Sequence, residues 1–482
     1  MKKNISIIIT ARNYSMYLSE AILSCLNQTI QPFEIIYSDD FSSDNSIKIA
    51  KKHNVKIVSA KKHLGVIKAR NNGANISKGN VLVFLDGDDL MPSDFLEKHL
   101  QTFDETTPFV YCSAQAFGAF NHFWEVKPWD TLNIWNRNFV NTSCMIWKKS
   151  FVKAGKWQDT KENTMWDWSM AIRLSRLGKP KKSMATLLYR QHETSWSKKI
   201  RKKPEDTLRC TVSIRKDLVN LSIGLIYSGR IPNFIHKWLY HLIEDIRFLN
   251  NKPQLIIINL SKETLYLDSY KKHFSEIKIL SGKRINFESE RERRRKVSKL
   301  LSEKYNIILE NATGELVHLR EDDIIPNKNS FKLLFDFLTD KNPVKNAVAG
   351  IYLNRNLKSS WGKKIVGGFY NGKSTKPIDK IENQEPFLID HTGTGFLLFW
   401  KNICPTFEPT IDNINAHDWA WGKKLKTNKG QLYMIPEAIC KHYHNEIDFI
   451  EYAPEIEITS NNTFTKPINN ITVKKQRCII IK

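Results

Sequence analysis

Four segments from the first half of this chain return, in the same order, in its second half. NISIIITARN (4–13) is echoed by PQLIIINLSKE (253–263), and GNVLVFLDGDDLMP (79–92) by GELVHLREDDIIP (314–326). NTSCMIWKKS (141–150) is echoed by TGTGFLLFWKN (392–402), and MWDWSMAIRLSRLGK (165–179) by AHDWAWGKKLKTNKG (416–430). One such likeness would mean little. Four in order, with 79 residues from Asp88 to Asp167 and 95 from Asp323 to Asp418, imply two copies of one fold.

Within the first copy, short apolar runs (ISIII, EIIYS, VKIVS, VLVFL) alternate with amphipathic stretches such as YLSEAILSCLNQT and IKARNNGANISKG. Continuous apolar runs separated by helical patterns predict an α/β fold whose mostly parallel sheet is covered on both faces, the doubly wound kind. We expect a first domain over 1–195, a basic helical linker over 196–250, a second domain over 251–450 and a tail over 451–482. The linker reading rests on the basic run Lys198, Lys199, Arg201, Lys202, Lys203 and on helical periodicity broken at Gly229 and Pro232.

A hydrophobic content of 41% with 13 Trp supports real cores and argues against disorder. The formal charge of +24 favours anionic partners. No zinc-finger or RNA-binding signature accompanies it, so nucleic acid is not expected. Seven scattered cysteines without a CxxC pair fit a reducing compartment better than a disulfide framework or a zinc site. The N-terminal apolar run is too short for a signal peptide, and no stretch approaches a membrane span. The expected location is cytoplasmic, with peripheral contact at the inner face of the membrane as an option.

The acidic cluster Asp86, Asp88, Asp89 closes the run VLVFL. In an open α/β sheet, ligands bind beyond the carboxyl ends of strands. Residues i and i+2 of an extended chain point the same way, so Asp86 and Asp88 can converge, with Gly87 between them sparing room for a large anion. Converging carboxylates repel unless a cation lies between them, and Mg²⁺ or Mn²⁺ held by one or two carboxylates and a substrate diphosphate answers that need. The competing reading, a helix cap for PSDFLEKHL, can be met by Ser93 alone.

SIIITARNYSMYLSEAILSCLNQT, EIIYSDDFSSDNS, LGVIKARNNGANISKGNVLVFLDGDD and MWDWSMAIRLSRLGK together resemble the family 2 glycosyltransferases of GT-A fold over about 1–195. The resemblance implies a nucleotide-sugar donor, usually a UDP-sugar, a divalent metal and transfer with inversion. Carried over by position, Thr10, Ala11 and Arg12 line the nucleotide, Asp39 and Asp40 contact base and ribose, and Arg70 approaches the donor. Phe41 stands where the family commonly has glycine. Asp86 and Asp88 match the DxD motif, with Asp88 as the direct metal ligand, and His192 matches a histidine that closes over the diphosphate or metal. Asp167 matches the general base, although Trp166 replaces the acid that usually precedes it. Trp166 and Trp168 either stack on an acceptor sugar or pack in the core.

In the second copy, Glu321, Asp322 and Asp323 occupy the DxD position with a one-residue ambiguity. Counting from Gly314 matches Asp323 to Asp88, while counting back from Pro326 matches Asp322. Asp418 matches Asp167, and His442 or His444 matches His192; the metal set expected here is Glu321, Asp323, His442 and His444. No counterpart of the Asp39 and Asp40 pair is found after EIKIL. The cluster Arg291, Arg293, Arg294, Arg295 suits either an anion or a solvated helix face. The whole reads as a two-domain enzyme that builds a surface glycan from UDP-sugars on a glycan or lipid-linked glycan acceptor, with two active sites. The alternative is a single active N-terminal domain with a degenerate glycan-binding partner.

Overall fold

The computed structural model describes residues 2–162, 164–193, 204–231, 233–282, 290–340, 346–351, 365–370, 375–378, 385–403, 406–408, 417–443, 448–456 and 467–475. The chain divides into two compact units, Met1–Leu218 and Val219–Lys482. No described helix is long and apolar enough to cross a membrane.

The first unit is built on the strands β1 (Ile5–Ala11), β2 (Glu34–Asp39), β3 (Lys56–Ser59), β4 (Val81–Asp86), β5 (Phe109–Gly118), β6 (His122–Trp124), β7 (Met145–Trp147) and β8 (Lys181–Gln191). They form one sheet in the order β3-β2-β1-β4-β7-β5-β6, with β8 on β5. β1 pairs in parallel with both β2 and β4, and β7 runs antiparallel to β4. Every residue of β1 is buried, as are the first five of β4, because helices cover both faces. That double burial is why these strands read as unbroken apolar runs.

The second unit contains β9 (Leu221–Tyr227), β10 (Gln254–Asn259), β11 (Glu276–Ser281), β12 (Leu316–Arg320), β13 (Ile324–Pro326) and β14 (Asn346–Ile351). A small separate sheet is made by β15 (Ile365–Tyr370), β16 (Thr375–Ile378) and β18 (His391–Thr392). β17 (Phe387–Ile389), β19 (Phe396–Trp400), β20 (Gln431–Tyr443), β21 (Asp448–Ile456) and β22 (Pro467–Lys475) complete the described strands. The main sheet runs β11-β10-β9-β12-β19-β14-β20-β21-β22. Its first six positions repeat the order and directions of β3-β2-β1-β4-β7-β5.

Register makes the repetition exact to the residue across the central pairs β1–β4 and β9–β12. Ile5 faces Val81 in the first unit and Leu221 faces Leu316 in the second, so β9 corresponds to β1 and β12 to β4. The same polar brace closes the far end of both sheets. Ser6 Oγ donates to Glu34 Oε1 at 2.7 Å and receives the Gly79 N–H at 3.0 Å. Ser222 Oγ donates to Gln254 Oε1 at 2.7 Å and receives the Gly314 N–H at 2.9 Å. Both glycines are required, since a Cβ would meet Ser6 Oγ at 2.5 Å or Ser222 N at 2.6 Å.

This register shifts the correspondence expected from sequence by one strand: PQLIIIN answers to β2, and the counterpart of β1 lies inside 196–250. That stretch holds the helices Pro204–Leu218 and Phe234–Ile246, as expected, but LSIGLIY between them is a central strand. Gly224 hid it. A Cβ there would stand 2.4 Å from Ile308 Cγ2, so the glycine marks close helix-on-strand packing.

Candidate active site

The parallel strands β1, β2 and β4 end together, because Thr10 faces both Ser38 and Asp86 and Ala11 faces Asp39. Thr10 and Ala11 are buried and Arg12 is exposed. The Thr10 hydroxyl is buried with no hydrogen-bond partner among the described residues. Asp39 and Asp40 are both buried and both engaged by the chain. Asp39 accepts from the Tyr37 hydroxyl at 2.8 Å, the Ser59 hydroxyl at 2.8 Å and the Ser42 N–H at 3.1 Å. Asp40 takes the N–H groups of Leu64 and Gly65 at 2.8 and 3.0 Å and pairs with the His63 ring at 2.8 Å. Asp40 thereby fixes the loop that opens the helix Val66–Ile76. Phe41 adopts φ 61°, the left-handed conformation glycine accepts most readily, so the turn is kept despite the substitution.

Arg70 lies on that helix, buried, with its guanidinium 2.6 Å from Asp86 Oδ1 and 4.9 Å from the centre of the Trp157 ring. Trp157 is itself located by Asn71, whose side chain bonds its carbonyl and its N–H. Sequence reasoning missed Trp157, which no motif marks. Gly87 differs from expectation: the space a Cβ would fill is taken by Ala11 Cβ, 2.5 Å away, so the glycine serves the approach of β1 to β4.

Asp88 Oδ2 lies 2.9 Å from His192 Nε2, at the end of β8. Tyr14 and Tyr17 flank the His192 ring, with centroids at 6.0 and 5.0 Å. Asp89 is buried and accepts the Arg190 N–H at 2.9 Å, while Arg190 Nε donates to the Asp88 carbonyl at 2.8 Å. Burial, followed by repulsion from Asp86, pushes the Asp88 carboxyl up. Burial and repulsion from Asp88 and Asp86 push Asp89 well above the ordinary carboxylate range. A hard divalent ion among these oxygens would relieve that repulsion, so the donor set fits Mg²⁺ or Mn²⁺.

Asp167 sits in the first turn of the helix Trp166–Ser175, half-buried, and its Oδ1 accepts the Trp168 N–H at 2.9 Å. Burial, then the charges of Cys112 and Asp167, push the Cys144 thiol up. Cys144 precedes Met145, which faces Val83 on the antiparallel β4. Asp167 is therefore at the same end of the sheet as the acid cluster. Trp168 is 1% exposed and its indole N–H donates to the Ile134 carbonyl at 2.5 Å, which makes it core and not an acceptor platform. Trp166 is also buried.

In the second unit, β12 register places Glu321 where Asp86 stands and Asp323 where Asp88 stands, resolving the one-residue ambiguity. One ligand atom each from Glu321, Asp323 and His442 lie within 4.8 Å of one another. His442 Nε2 is 3.1 Å from Asp323 Oδ2. Its register position is that of Tyr189, however, since Ile325 faces Lys441 as Leu90 faces Leu188. A histidine thus reaches the acid from a different place on the strand. β10 register sets Asn259 and Leu260 where the first unit has Asp39 and Asp40. The side chain of Asp418, in the helix His417–Thr427, lies outside the described residues, as do His444 and the side chains of Arg291, Arg293, Arg294 and Arg295.

Residues 6–163 match the sequence profile of Glycosyl transferase family 2. An "Uncharacterized glycosyltransferase" of Haemophilus influenzae is 43% identical over 101 residues, covering 20% of this chain and 40% of that protein. The "Minor teichoic acid biosynthesis protein GgaB" of Bacillus subtilis is 41% identical over 107 residues, covering 21% of this chain and 12% of that protein. The chain thus spans less than half the length of either relative. Among solved structures, S. aureus TarS 1-349 in complex with UDP-GlcNAc aligns with a TM-score of 0.38 at 16% identity, covering 44% of this chain and 65% of that one.

Proposed function

We propose that the N-terminal unit, whose residues 6–163 match the sequence profile of Glycosyl transferase family 2, is a metal-dependent inverting glycosyltransferase using a UDP-sugar to build a surface polysaccharide or glycoconjugate. The observation that carries the reading is the meeting of Thr10, Arg70, Asp86 and the Asp88–His192 pair where β1, β4 and β8 run out.

In this reading Asp86, Asp88 and His192 hold the metal, which when bound neutralises the leaving diphosphate. Thr10, Ala11 and Arg12 border the nucleotide. Asp39 and Asp40 shape its pocket, through Ser42 and the 63–65 loop respectively. Arg70 holds Asp86 in place. Asp167 takes the proton as an acceptor hydroxyl oxygen bonds to the anomeric carbon. The bond from that carbon to the diphosphate oxygen breaks with inversion, and the nucleoside diphosphate leaves with the electron pair. The acceptor is a glycan or lipid-linked glycan, met at the cytoplasmic face of the membrane.

For the second unit, the Asp323–His442 pair and the match of Asp418 to Asp167 in sequence order support a second active site. Three replacements at the same register positions favour the other reading, a glycan-binding module beside a single active site. Asn259 and Leu260 stand for Asp39 and Asp40, and Tyr305 stands for Arg70, since the next residue, Asn306, bonds Phe407 as Asn71 bonds Trp157. Nucleotide release by the purified chain across a panel of UDP-sugars with Mn²⁺, and the anomeric configuration of any product, test the proposal. Turnover of one donor that is lost on chelation and in Asp88→Asn, with an inverted product, is expected. A metal-independent or retaining product would overturn it.

A further inference from the structure

The two acid clusters differ in where a cationic side chain meets them. In the first unit the cation comes from the helix Val66–Ile76: Arg70 lies on Asp86, the first acid, and the described contacts of the Asp88 carboxylate include only a histidine. In the second unit that helix position is lost as a cation. Asn306 bonds the carbonyl and N–H of Phe407 just as Asn71 bonds those of Trp157, which fixes the alignment and makes Tyr305 the counterpart of Arg70. Tyr305 packs against Phe407 with the rings tilted, centroids 5.1 Å apart, and its hydroxyl receives a hydrogen bond from Thr394. It brings no charge to the acids.

The charge enters from the opposite side. After β9 the chain turns through Ser228, Gly229 and Arg230, and two consecutive acids hold it there. Asp322 Oδ2 takes both the N–H and the hydroxyl of Ser228, at 2.7 and 2.6 Å. The Arg230 guanidinium pairs with Asp323 Oδ2, the same oxygen that His442 faces. Gly229 has φ 63° and a Cβ on it would strike Ser261 at 2.4 Å, so the turn is shaped for this path. The matching turn of the first unit goes elsewhere. Asn13 and Ser15 bond to Ser42, Ser43 and Asp44, and Arg12 is exposed.

We propose that Arg230 is the resident counter-ion of the second acid cluster, so that Glu321, Asp323 and His442 take no divalent cation although their ligand atoms lie close enough to hold one. A guanidinium is permanently charged and satisfies a carboxylate by direct hydrogen bonds, which removes the repulsion a metal would relieve. The inference rests on the reading of the first cluster as the metal site only for the expected count of ions.

The test is Mn²⁺ binding to the full chain, followed by the loss of the free-ion electron paramagnetic resonance signal, alone and with UDP. We expect one Mn²⁺ per chain in the wild type, lost in Asp88→Asn and kept in Asp323→Asn. Arg230→Gln and Arg230→Ala, checked for native circular dichroism, should each bind one more ion, and adding Asp323→Asn should remove it. Loss of an ion from the wild type on Asp323→Asn overturns the inference, as does an unchanged count in both Arg230 variants. A wild type that binds none would instead sink the proposed metal dependence of the first unit, while the gain in the Arg230 variants would still support the resident cation.

Discussion

In the proposed reaction Asp167 and Asp88 carry different burdens, and single substitutions should separate them. General-base help is worth roughly 10² to 10⁴ in rate, so Asp167→Asn should lower kcat by that range while leaving Mn²⁺ binding intact. Asp88→Asn should lose the ion and turnover together. Gly87→Val tests the close approach of β1 and β4: its side chain must displace Ala11, an overpacking that costs about 1–3 kcal/mol. The check is a urea melt, and a midpoint equal to wild type would contradict the tight fit. At this scale the sequence was legible where a residue's role is local. Motif and order singled out Asp86, Asp88, Asp167 and His192 as candidates, and the structure brings Asp88 to His192; Arg230 was not singled out, because only the turn after β9 brings it to Asp323.

Among elements, legibility followed burial pattern. β1, β2 and β4 are buried on both faces and announce themselves as apolar runs. β9 is equally buried but carries Ser222 and Gly224, one to brace Gln254 and one to admit Ile308, and these broke the run. Its neighbour β10 then took its place in the sequence comparison, since one buried parallel strand looks much like the next. The same packing makes a prediction. Gly224→Val should destabilise the second unit by about 1–3 kcal/mol through overpacking against Ile308 and leave UDP-sugar turnover by the first unit unchanged. Differential scanning calorimetry on the full chain, read with the activity assay, checks both halves of that expectation. Stability equal to wild type, or a fall in turnover, would contradict it.

Over the whole molecule, each unit buries a histidine that must stay neutral. His99 and His318 are each held down at about 3 by burial, and Arg320 adds to the effect on His318. The unfolded chain binds their protons near 6.5, so each histidine's contribution is fully present above that pH and declines as pH falls toward 3. The slope is about 1.4 kcal/mol per pH unit for each histidine across that window. His99→Gln should flatten the acid-side loss of stability in denaturant melts between pH 6.5 and 4 relative to wild type. Identical slopes would contradict the assignment. Duplication also explains what the molecule keeps and what it changes: the brace of Ser222, Gln254 and Gly314 is preserved because the sheet needs it. The opposite end, where Asn259, Leu260, Tyr305 and Arg230 stand, is where the two units differ.

Whether catalysis belongs to the N-terminal unit is decided by the rate of UDP release with Mn²⁺ and a productive donor and acceptor in Asp167→Asn and Asp418→Asn, each against wild type. The rate should fall by roughly 10² to 10⁴ in Asp167→Asn and stay near wild type in Asp418→Asn. The reverse result, with Asp167→Asn active and Asp418→Asn dead, would contradict the N-terminal assignment.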